Sequence, residues 1–117
     1  DNNSVALITG EEKIIPKNAR YFFCTVESIP KNINFEFVAI DEVQMASDYD
    51  RGYIFTEKIL NMKGTKETLF LGSQSMENIL KEIYPKIIIH KQPPTIFLVL
   101  SGLFLTFSAL TTDKYLL

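Results

Sequence analysis

Hydrophobic residues in the first 91 positions fall into short runs that alternate between strand-like and helix-like spacing. Runs rich in β-branched and aromatic residues predict five strands, at Val5–Thr9, Tyr21–Thr25, Phe35–Ile40, Thr68–Leu71 and Ile87–Ile89. Apolar residues at helical spacing predict two helices, at Arg51–Met62 and Ser75–Tyr84. Strands that alternate with helices favour an α/β fold with an open parallel sheet of the doubly wound type.

The residues from position 92 onward differ in composition from those before them. Residues 92–112 contain no charged side chain, so we divide the chain into a domain at 1–91 and an apolar tail at 92–117. Three interpretations of the tail are open: a marginal membrane-spanning helix over residues 95–110, a segment that covers a sheet edge, or the product of a shifted reading frame. We favour the last, because the composition changes so abruptly.

Charge and cysteine content exclude several classes of protein. The net charge of −2 gives no global basic field, so any contact with nucleic acid must be local. Cys24 is the only cysteine, which excludes an intrachain disulfide and suits a reducing compartment. With one cysteine and one histidine, a structural zinc site or metal cluster is not expected.

Two adjacent carboxylates, Asp41 and Glu42, follow the apolar run at 35–40. We expect that strand to be buried on both faces, and open α/β sheets place ligands at the carboxyl ends of such strands. There an aspartate can hold Mg²⁺, usually through water, and a neighbouring glutamate can orient and deprotonate an attacking water. An acidic pair that ends a strand is also common without any chemistry, and this pair alone does not decide between the two interpretations.

Five segments occur in the order and spacing of one helicase family. They are Leu7–Glu12 (LITGEE), Cys24–Glu27 (CTVE), Ile40–Gln44 (IDEVQ), Asp48–Gly52 (DYDRG) and Leu69–Ser73 (LFLGS). Over residues 4–90 the chain resembles superfamily 2 helicases of the mitochondrial degradosome type and their alphaproteobacterial relatives. The resemblance implies that residues 1–91 are part of the first RecA-like domain of a DExH/D helicase.

The resemblance also implies roles for individual residues. Asp41 would hold Mg²⁺ through water and so bind the nucleotide cofactor, Glu42 would be the general base, and Gln44 would couple nucleotide to strand movement. Thr25 and Glu27 fall where the family contacts a single strand of nucleic acid, although both could simply be residues at a strand end.

Gly72 and Ser73 fall at the family motif that links ATP hydrolysis to unwinding. Bacterial relatives tend to show Ser-Ala-Thr there. Ser73 keeps the hydroxyl of the first position, whereas Gln74 and Ser75 depart from the pattern.

The chain contains no Gly-x-x-x-x-Gly-Lys-Ser/Thr phosphate-binding loop. The resemblance places that loop before residue 1 and a second RecA-like domain after residue 90. ATP and Mg²⁺ are therefore the cofactors of the intact family, and we expect neither to bind tightly to this chain alone. We predict no ATPase or helicase activity for the chain by itself, unless segments encoded elsewhere reassemble with it.

Two other functions are open. One is a non-catalytic module that binds single-stranded RNA or DNA weakly, and the other is a small protein tethered to a membrane through residues 95–110. The helicase interpretation predicts a location in the bacterial cytoplasm or the mitochondrial matrix.

Overall fold

The computed structural model describes residues 4–91, 98–100, 103–105 and 113–116. Two compact units divide the chain, Asp1–Asn34 and Phe35–Leu117. The boundary that the sequence predicts at residue 91 rests on family resemblance and composition, and it stays a prediction.

The first unit contains a three-stranded sheet in the order β2-β1-β3. Its strands are β1 Ser4–Ile8, β2 Lys13–Ile14 and β3 Ala19–Cys24. β1 and β3 are parallel, and β2 is antiparallel to β1. Thr9 shapes the turn between β1 and β2, because its Oγ1 accepts hydrogen bonds from the N–H groups of Glu11 and Glu12 at 3.2 and 2.9 Å.

Cys24 ends β3 and is half-buried. Burial raises the pKa of the Cys24 thiol, since the uncharged form tolerates an apolar environment better than the thiolate does. The residue therefore behaves as a small hydrophobic side chain in the first unit.

The second unit contains a four-stranded sheet in the order β4-β5-β9-β6. Its strands are β4 Phe37–Ile40, β5 Glu67–Gly72, β6 Ile88–His90 and β9 Asp113–Leu116. β4 and β5 are parallel, whereas β9 is antiparallel to both β5 and β6. A separate antiparallel hairpin joins β7 Leu98–Leu100 to β8 Leu103–Leu105.

All five predicted strands are present, but the expectation of a wholly parallel sheet is wrong. Both sheets are mixed, because β2 and β9 run antiparallel to their neighbours. β2 has only two residues, too few to give a periodic signal. β9 lies in the tail, where the sequence predicted no particular strand.

Two α-helices connect the strands of the second unit: α1 Gly52–Asn61 follows β4, and α2 Glu77–Ile83 follows β5. Short 3₁₀ turns precede both helices, at Val43–Ser47 and Gln74–Met76. The Oδ1 atom of Asp48 accepts hydrogen bonds from the N–H groups of Asp50 and Arg51 at 3.0 and 2.8 Å, just before α1 begins. Both predicted helices are confirmed. α1 is one residue shorter than predicted at each end, and α2 is shorter because the 3₁₀ turn at Gln74–Met76 takes the place of its first residues.

The core of the second unit joins both helices to one face of the sheet. Its buried residues are Val38, Ile40, Val43, Ile59, Phe70, Met76 and Leu80. β5 is buried from Thr68 to Gly72. In β4, by contrast, Val38 and Ile40 are buried while Phe37 and Ala39 are exposed. The expectation that the 35–40 strand is buried on both faces is therefore wrong, since only the face of β4 that carries Val38 and Ile40 packs in the core.

The tail is only partly described. Residues 95–97, 101–102 and 106–110 of the candidate membrane segment lie outside the described residues, and those between them form β7 and β8. No helix within the described residues is long and apolar enough to cross a membrane. Residues 113–116 join the sheet of the second unit as β9.

Candidate functional site

Asp41 and Glu42 lie at the carboxyl end of β4, and both side chains are exposed. The N–H of Glu42 donates to Oδ1 of Asp41 at 2.8 Å. Glu42 has φ 55° and ψ 43°, in the left-handed region that residues other than glycine rarely adopt. This conformation turns the chain out of the strand and into the 3₁₀ turn at Val43–Ser47, so the two acidic residues stand at a sharp bend.

Gln44 connects this bend to the end of the next strand. Its Oε1 accepts a hydrogen bond from the N–H of Ser73 at 3.3 Å. Ser73 directly follows β5, which is parallel to β4, so the two carboxyl ends meet at one edge of the sheet. The structure therefore brings Gln44 together with Ser73 and Gly72, three residues that the sequence singled out separately.

Gly72 allows the two strand ends to approach each other. A Cβ atom at this position would lie 2.5 Å from Cγ2 of Val43 and 3.0 Å from Oε1 of Gln44. Val43 is fully buried and cannot move away without disturbing the core. The contact between Gly72 and Val43 was missed from the sequence, where the only signal was a glycine at the end of an apolar strand.

Ser73 and Ser75 bring their hydroxyl oxygens to within 2.5 Å of each other. Ser75 departs from the Ser-Ala-Thr pattern of the bacterial relatives, which have threonine at this position. Serine and threonine share a hydroxyl group, however, and the hydroxyl of Ser75 contacts that of Ser73. A pair of hydroxyls therefore follows β5.

The chain is similar in sequence to known proteins. The sequence model of the DEXQ-box helicase domain of Suv3 matches residues 1–90. The chain belongs to this helicase family. The site accordingly contains the Asp-Glu-x-Gln sequence, at Asp41–Gln44, for which the DEXQ-box family is named.

Several curated relatives of the Suv3 family align with the chain. The ATP-dependent RNA helicase SUV3, mitochondrial, of Saccharomyces paradoxus is 38% identical over 82 residues, which is 66% of this chain and 11% of the relative. The DExH-box ATP-dependent RNA helicase DExH18, mitochondrial, of Arabidopsis thaliana is 32% identical over 78 residues, 67% of this chain and 10% of the relative. The chain thus spans about a tenth of the length of these relatives.

The human relative, ATP-dependent RNA helicase SUPV3L1, mitochondrial, is 37% identical over 60 residues, which covers 48% of this chain and 8% of the relative. The family predicted from the sequence is therefore confirmed.

The donor set of this DEXQ-box site suits the magnesium–nucleotide chemistry of a helicase. Mg²⁺ keeps several waters and uses one or two carboxylates together with substrate phosphates, rather than a cage made wholly of protein. Exposed carboxylates at the end of a parallel strand meet that requirement. Among the described residues, no three His, Cys, Asp or Glu side chains cluster in a way that could hold a metal ion. The exposed carboxylate of Asp41 is of the type that Mg²⁺ uses together with substrate phosphates.

Thr25 and Glu27, the predicted nucleic-acid contacts of this family member, lie in the first unit. Thr25 precedes the 3₁₀ turn at Val26–Ser28, and its N–H donates to the carbonyl of Ile8 at 3.1 Å. The Oγ1 of Thr25 also donates to Oγ of Ser28 at 2.9 Å. Both Thr25 and Glu27 are exposed. This exposure at the end of β3 is compatible with contact to a backbone, and the role of both residues stays a prediction.

Arg51 belongs to the Asp48–Gly52 segment that the sequence also compared with the family. Its guanidinium carbon lies 5.8 Å from the centroid of the Phe55 ring, within the range of a cation–π contact. Gly52 packs closely on the preceding 3₁₀ turn, because a Cβ there would lie 2.4 Å from the carbonyl oxygen of Ala46. These contacts fix how α1 starts after the DEXQ-box.

Proposed function

We propose that this chain forms the DEXQ-box part of an ATP-dependent RNA helicase motor, within a partial RecA-like α/β domain at residues 1–91. The hydrogen bond between Gln44 and Ser73 supports the proposal best. It joins the segment that would sense the nucleotide to the segment that would report hydrolysis to the rest of the motor. RNA is the proposed substrate because the relatives are named as RNA helicases.

Asp41 and Glu42 have different proposed roles. Asp41 would hold Mg²⁺ through its waters, and the N–H of Glu42 keeps the Asp41 carboxylate oriented through its hydrogen bond to Oδ1. Glu42 would orient the attacking water and accept its proton on a carboxylate oxygen. When Mg²⁺–ATP is bound, the ATP would supply the phosphoryl group and the Mg²⁺ ion would neutralise charge on the phosphates. Both carboxylates are exposed at the sharp bend that the backbone makes at Glu42.

Gln44, Gly72 and Ser73 would form the coupling element. A change at the nucleotide that moved the 3₁₀ turn at Val43–Ser47 would shift Gln44, and with it the N–H of Ser73 at the start of the next segment. Since Gly72 leaves no space between the two strand ends, such a shift would also move the end of β5. Gln44 would then act as a positioning residue, because it would act through the backbone of Ser73 and not through the substrate.

Thr25 and Glu27 would lie on the path of the single strand. Thr25 would contact the phosphate backbone through its hydroxyl, independently of sequence. With a net charge of −2, the chain alone would bind RNA weakly. The relatives are named as mitochondrial, so the mitochondrial matrix or the bacterial cytoplasm is the proposed location.

The isolated chain would be catalytically silent, because its sequence contains no glycine-rich phosphate-binding loop. We therefore test the proposal in a chimera, in which residues 4–90 replace the matching segment of the Saccharomyces paradoxus helicase. The measurement is RNA-stimulated ATP hydrolysis of the purified chimera, scored only if circular dichroism and thermal melting show a folded protein. We expect hydrolysis, with Glu42→Gln reducing kcat by about 10²–10⁴.

Gln44→Ala separates coupling from chemistry in the same chimera. We expect it to reduce the stimulation by RNA more than the hydrolysis measured without RNA. A folded chimera that does not hydrolyse ATP, or one in which Glu42→Gln is fully active, would contradict the proposal. If the isolated chain instead binds a fluorescent single-stranded RNA tightly without nucleotide, the non-catalytic binding module becomes the better interpretation.

A further inference from the structure

A pocket of about 410 Å³ lies on one face of the three-stranded sheet of the first unit. Ala6 in β1 pairs with Phe22 in the parallel strand β3. Ile8 follows Ala6 by two residues, so its side chain and that of Phe22 lie on the same face of the sheet. Both of these side chains line the pocket, which we call the sheet pocket. Its floor is therefore the buried face of β1, where Ala6 is fully buried and Ile8 is 6% exposed.

Two further segments complete the sheet pocket. Lys13 of β2 and Ile15, directly after that strand, contribute to its lining. The segment that follows β3 contributes four more residues: Ser28, Pro30, Asn32 and Ile33. Apolar side chains therefore form most of the lining, and three residues add polar side chains. A volume of roughly 300–1,000 Å³ with few polar groups is usual for sites that bind small organic molecules.

The three polar residues of the sheet pocket, Lys13, Ser28 and Asn32, act mainly as hydrogen-bond donors. The Lys13 ammonium can only donate, and the Asn32 amide carries two donor hydrogens. The Oγ of Ser28 accepts a hydrogen bond from Oγ1 of Thr25 at 2.9 Å, so Ser28 can donate its own proton to a ligand. A suitable ligand therefore combines an apolar face with carbonyl oxygens at its edge. Uracil and guanine are flat rings of this kind.

The sheet pocket adjoins Thr25, the residue proposed to contact the phosphate backbone of RNA, because Ser28 lines the pocket and is hydrogen-bonded to Thr25. Residues 13–34, which supply every lining residue except Ile8, contain four basic residues and one acidic residue. The whole chain, in contrast, has a net charge of −2. This segment thus supplies local positive charge that attracts a phosphate backbone. A strand held at Thr25 would pass beside the pocket.

We propose that the sheet pocket binds one unpaired RNA base, uracil or guanine, from the strand whose phosphate backbone contacts Thr25. The ring would pack against Phe22, since stacking on an aromatic side chain is a usual way in which proteins hold an unpaired base. Lys13, Ser28 and Asn32 would donate to the carbonyl oxygens at its edge. The inference rests on the proposed RNA function, and it adds base recognition to a contact that is otherwise independent of sequence.

Nuclear magnetic resonance titration of the full chain tests whether the pocket binds a base. The probes are uridine 5′-monophosphate (UMP) and ribose 5-phosphate, which has the same sugar phosphate without the base. We expect UMP to shift the signals of Ile8, Phe22 and Asn32, and to bind at least about tenfold more tightly than ribose 5-phosphate. Adenosine 5′-monophosphate should bind more weakly than UMP, because adenine has no carbonyl oxygen. No binding, equal affinities for the three probes, or shifts that omit these residues would overturn the proposal.

Two tryptophan variants separate the pocket from the rest of the sheet. Ile15→Trp places a larger side chain in the pocket lining, whereas Ile14→Trp changes the neighbouring residue, which is exposed to a similar degree. We expect Ile15→Trp to weaken UMP binding at least about tenfold and Ile14→Trp to leave it unchanged. Asn32→Leu, at an exposed position, should weaken UMP binding about fivefold because a donor is lost. Circular dichroism verifies folding. If Ile15→Trp does not fold, Asn32→Leu decides, and an unchanged affinity for UMP in the folded variant overturns the proposal.

The chimera with the Saccharomyces paradoxus helicase tests the pocket on a whole RNA strand. Ile15→Trp in the chimera should raise the poly(U) concentration that half-saturates ATP hydrolysis by about tenfold, with kcat and the response to poly(A) close to those of the unaltered chimera. An unchanged response to poly(U) would contradict the proposal. A folded chimera that does not hydrolyse ATP would instead contradict the proposed helicase function, and the UMP titration of the full chain would still decide whether the pocket binds a base.

Discussion

The side-chain oxygen Oε1 of Gln44 accepts a hydrogen bond from the backbone N–H of Ser73, across 29 residues of sequence. The bond connects the turn after β4 to the segment after β5. Because both residues are partly buried, water competes with this bond less than it would at an open surface. The relative position of the two strand ends therefore depends on Gln44 as well as on the backbone ladder.

Replacing Gln44 with alanine should lower the free energy of unfolding by about 1 kcal/mol, since the N–H of Ser73 loses its acceptor. Urea denaturation followed by circular dichroism measures the change, and the Ser73 amide should also exchange faster. Gln44→Glu keeps an acceptor at this position and should retain the slow exchange. Gln74→Ala, at an exposed glutamine, is the control and should fall within about 0.5 kcal/mol of the unaltered chain. Equal stabilities for Gln44→Ala and Gln74→Ala would contradict the prediction.

Gly72→Ala should destabilise the chain by about 1–3 kcal/mol, because the added Cβ would overlap Cγ2 of buried Val43. Thermal and urea unfolding both measure this effect. Gly10→Ala is a matched control, since a Cβ at Gly10 meets nothing within 4 Å. That variant should be neutral or more stable by about 0.4–1 kcal/mol.

A double variant shows whether Val43 is the cause of the Gly72 effect. Adding Val43→Ala removes the Cγ2 atom that the new methyl group would meet. The double variant should therefore lose less stability than the two single losses added together. Additive losses would mean that the strain at Gly72 arises elsewhere.

Elements with strong local patterns could be predicted from the sequence. The apolar run before Asp41 and the helical spacing through Ile54, Phe55 and Ile59 both correspond to real elements. β9 could not be predicted, because its place between β5 and β6 depends on pairing with strands far away in the sequence. The burial of β4 was overestimated for a related reason: a run of apolar residues does not reveal which faces of a strand other elements cover.

The acidic pair of the site could be located from its position after a strand. The contacts around this pair could not be predicted. The role proposed for Gln44 came from family resemblance, and the partner of its side chain, the N–H of Ser73, is a backbone group that no side-chain pattern reveals. The left-handed backbone at Glu42 was also unexpected, since no glycine or asparagine marks it. Contacts of the backbone, rather than residue types, thus determine this part of the site.

The ion pairs of Glu77 lead us to expect that the free energy of unfolding falls in acid. Hydrogen bonding from Lys81 at 2.7 Å, and then from Lys91 at 3.3 Å, holds the pKa of the Glu77 carboxyl below its usual range. A lowered folded-state pKa stabilises the protein above the unfolded-state pKa, and this contribution is lost as the pH falls through the folded-state value. Glu77→Gln should therefore reduce stability at pH 7 and weaken the loss of stability below about pH 4.3.

Thermal unfolding of the Glu77→Gln variant between pH 7 and pH 3 tests this expectation. Glu82→Gln, on the exposed side of the same helix, serves as the control. It should leave the pH dependence close to that of the unaltered chain. Identical pH profiles for the Glu77→Gln variant and the unaltered chain would show that the two lysines do not stabilise the ionised carboxylate.

The left-handed conformation of Glu42 predicts an unusual order of stability among its variants. A side chain with a Cβ costs about 1–2 kcal/mol in this region, whereas glycine adopts it freely. Glu42→Gly should therefore be more stable than Glu42→Ala, by about 1 kcal/mol once the greater freedom of glycine in the unfolded chain is included. At Asp41, whose φ is not positive, the order should reverse, with glycine less stable than alanine. Urea unfolding of the four variants measures both differences. If the alanine variant is the more stable one at both positions, Glu42 does not hold the left-handed conformation in solution. If the glycine variant is the more stable one at position 42 only, backbone strain is stored at the residue proposed as the general base. Such strain is common at functional sites.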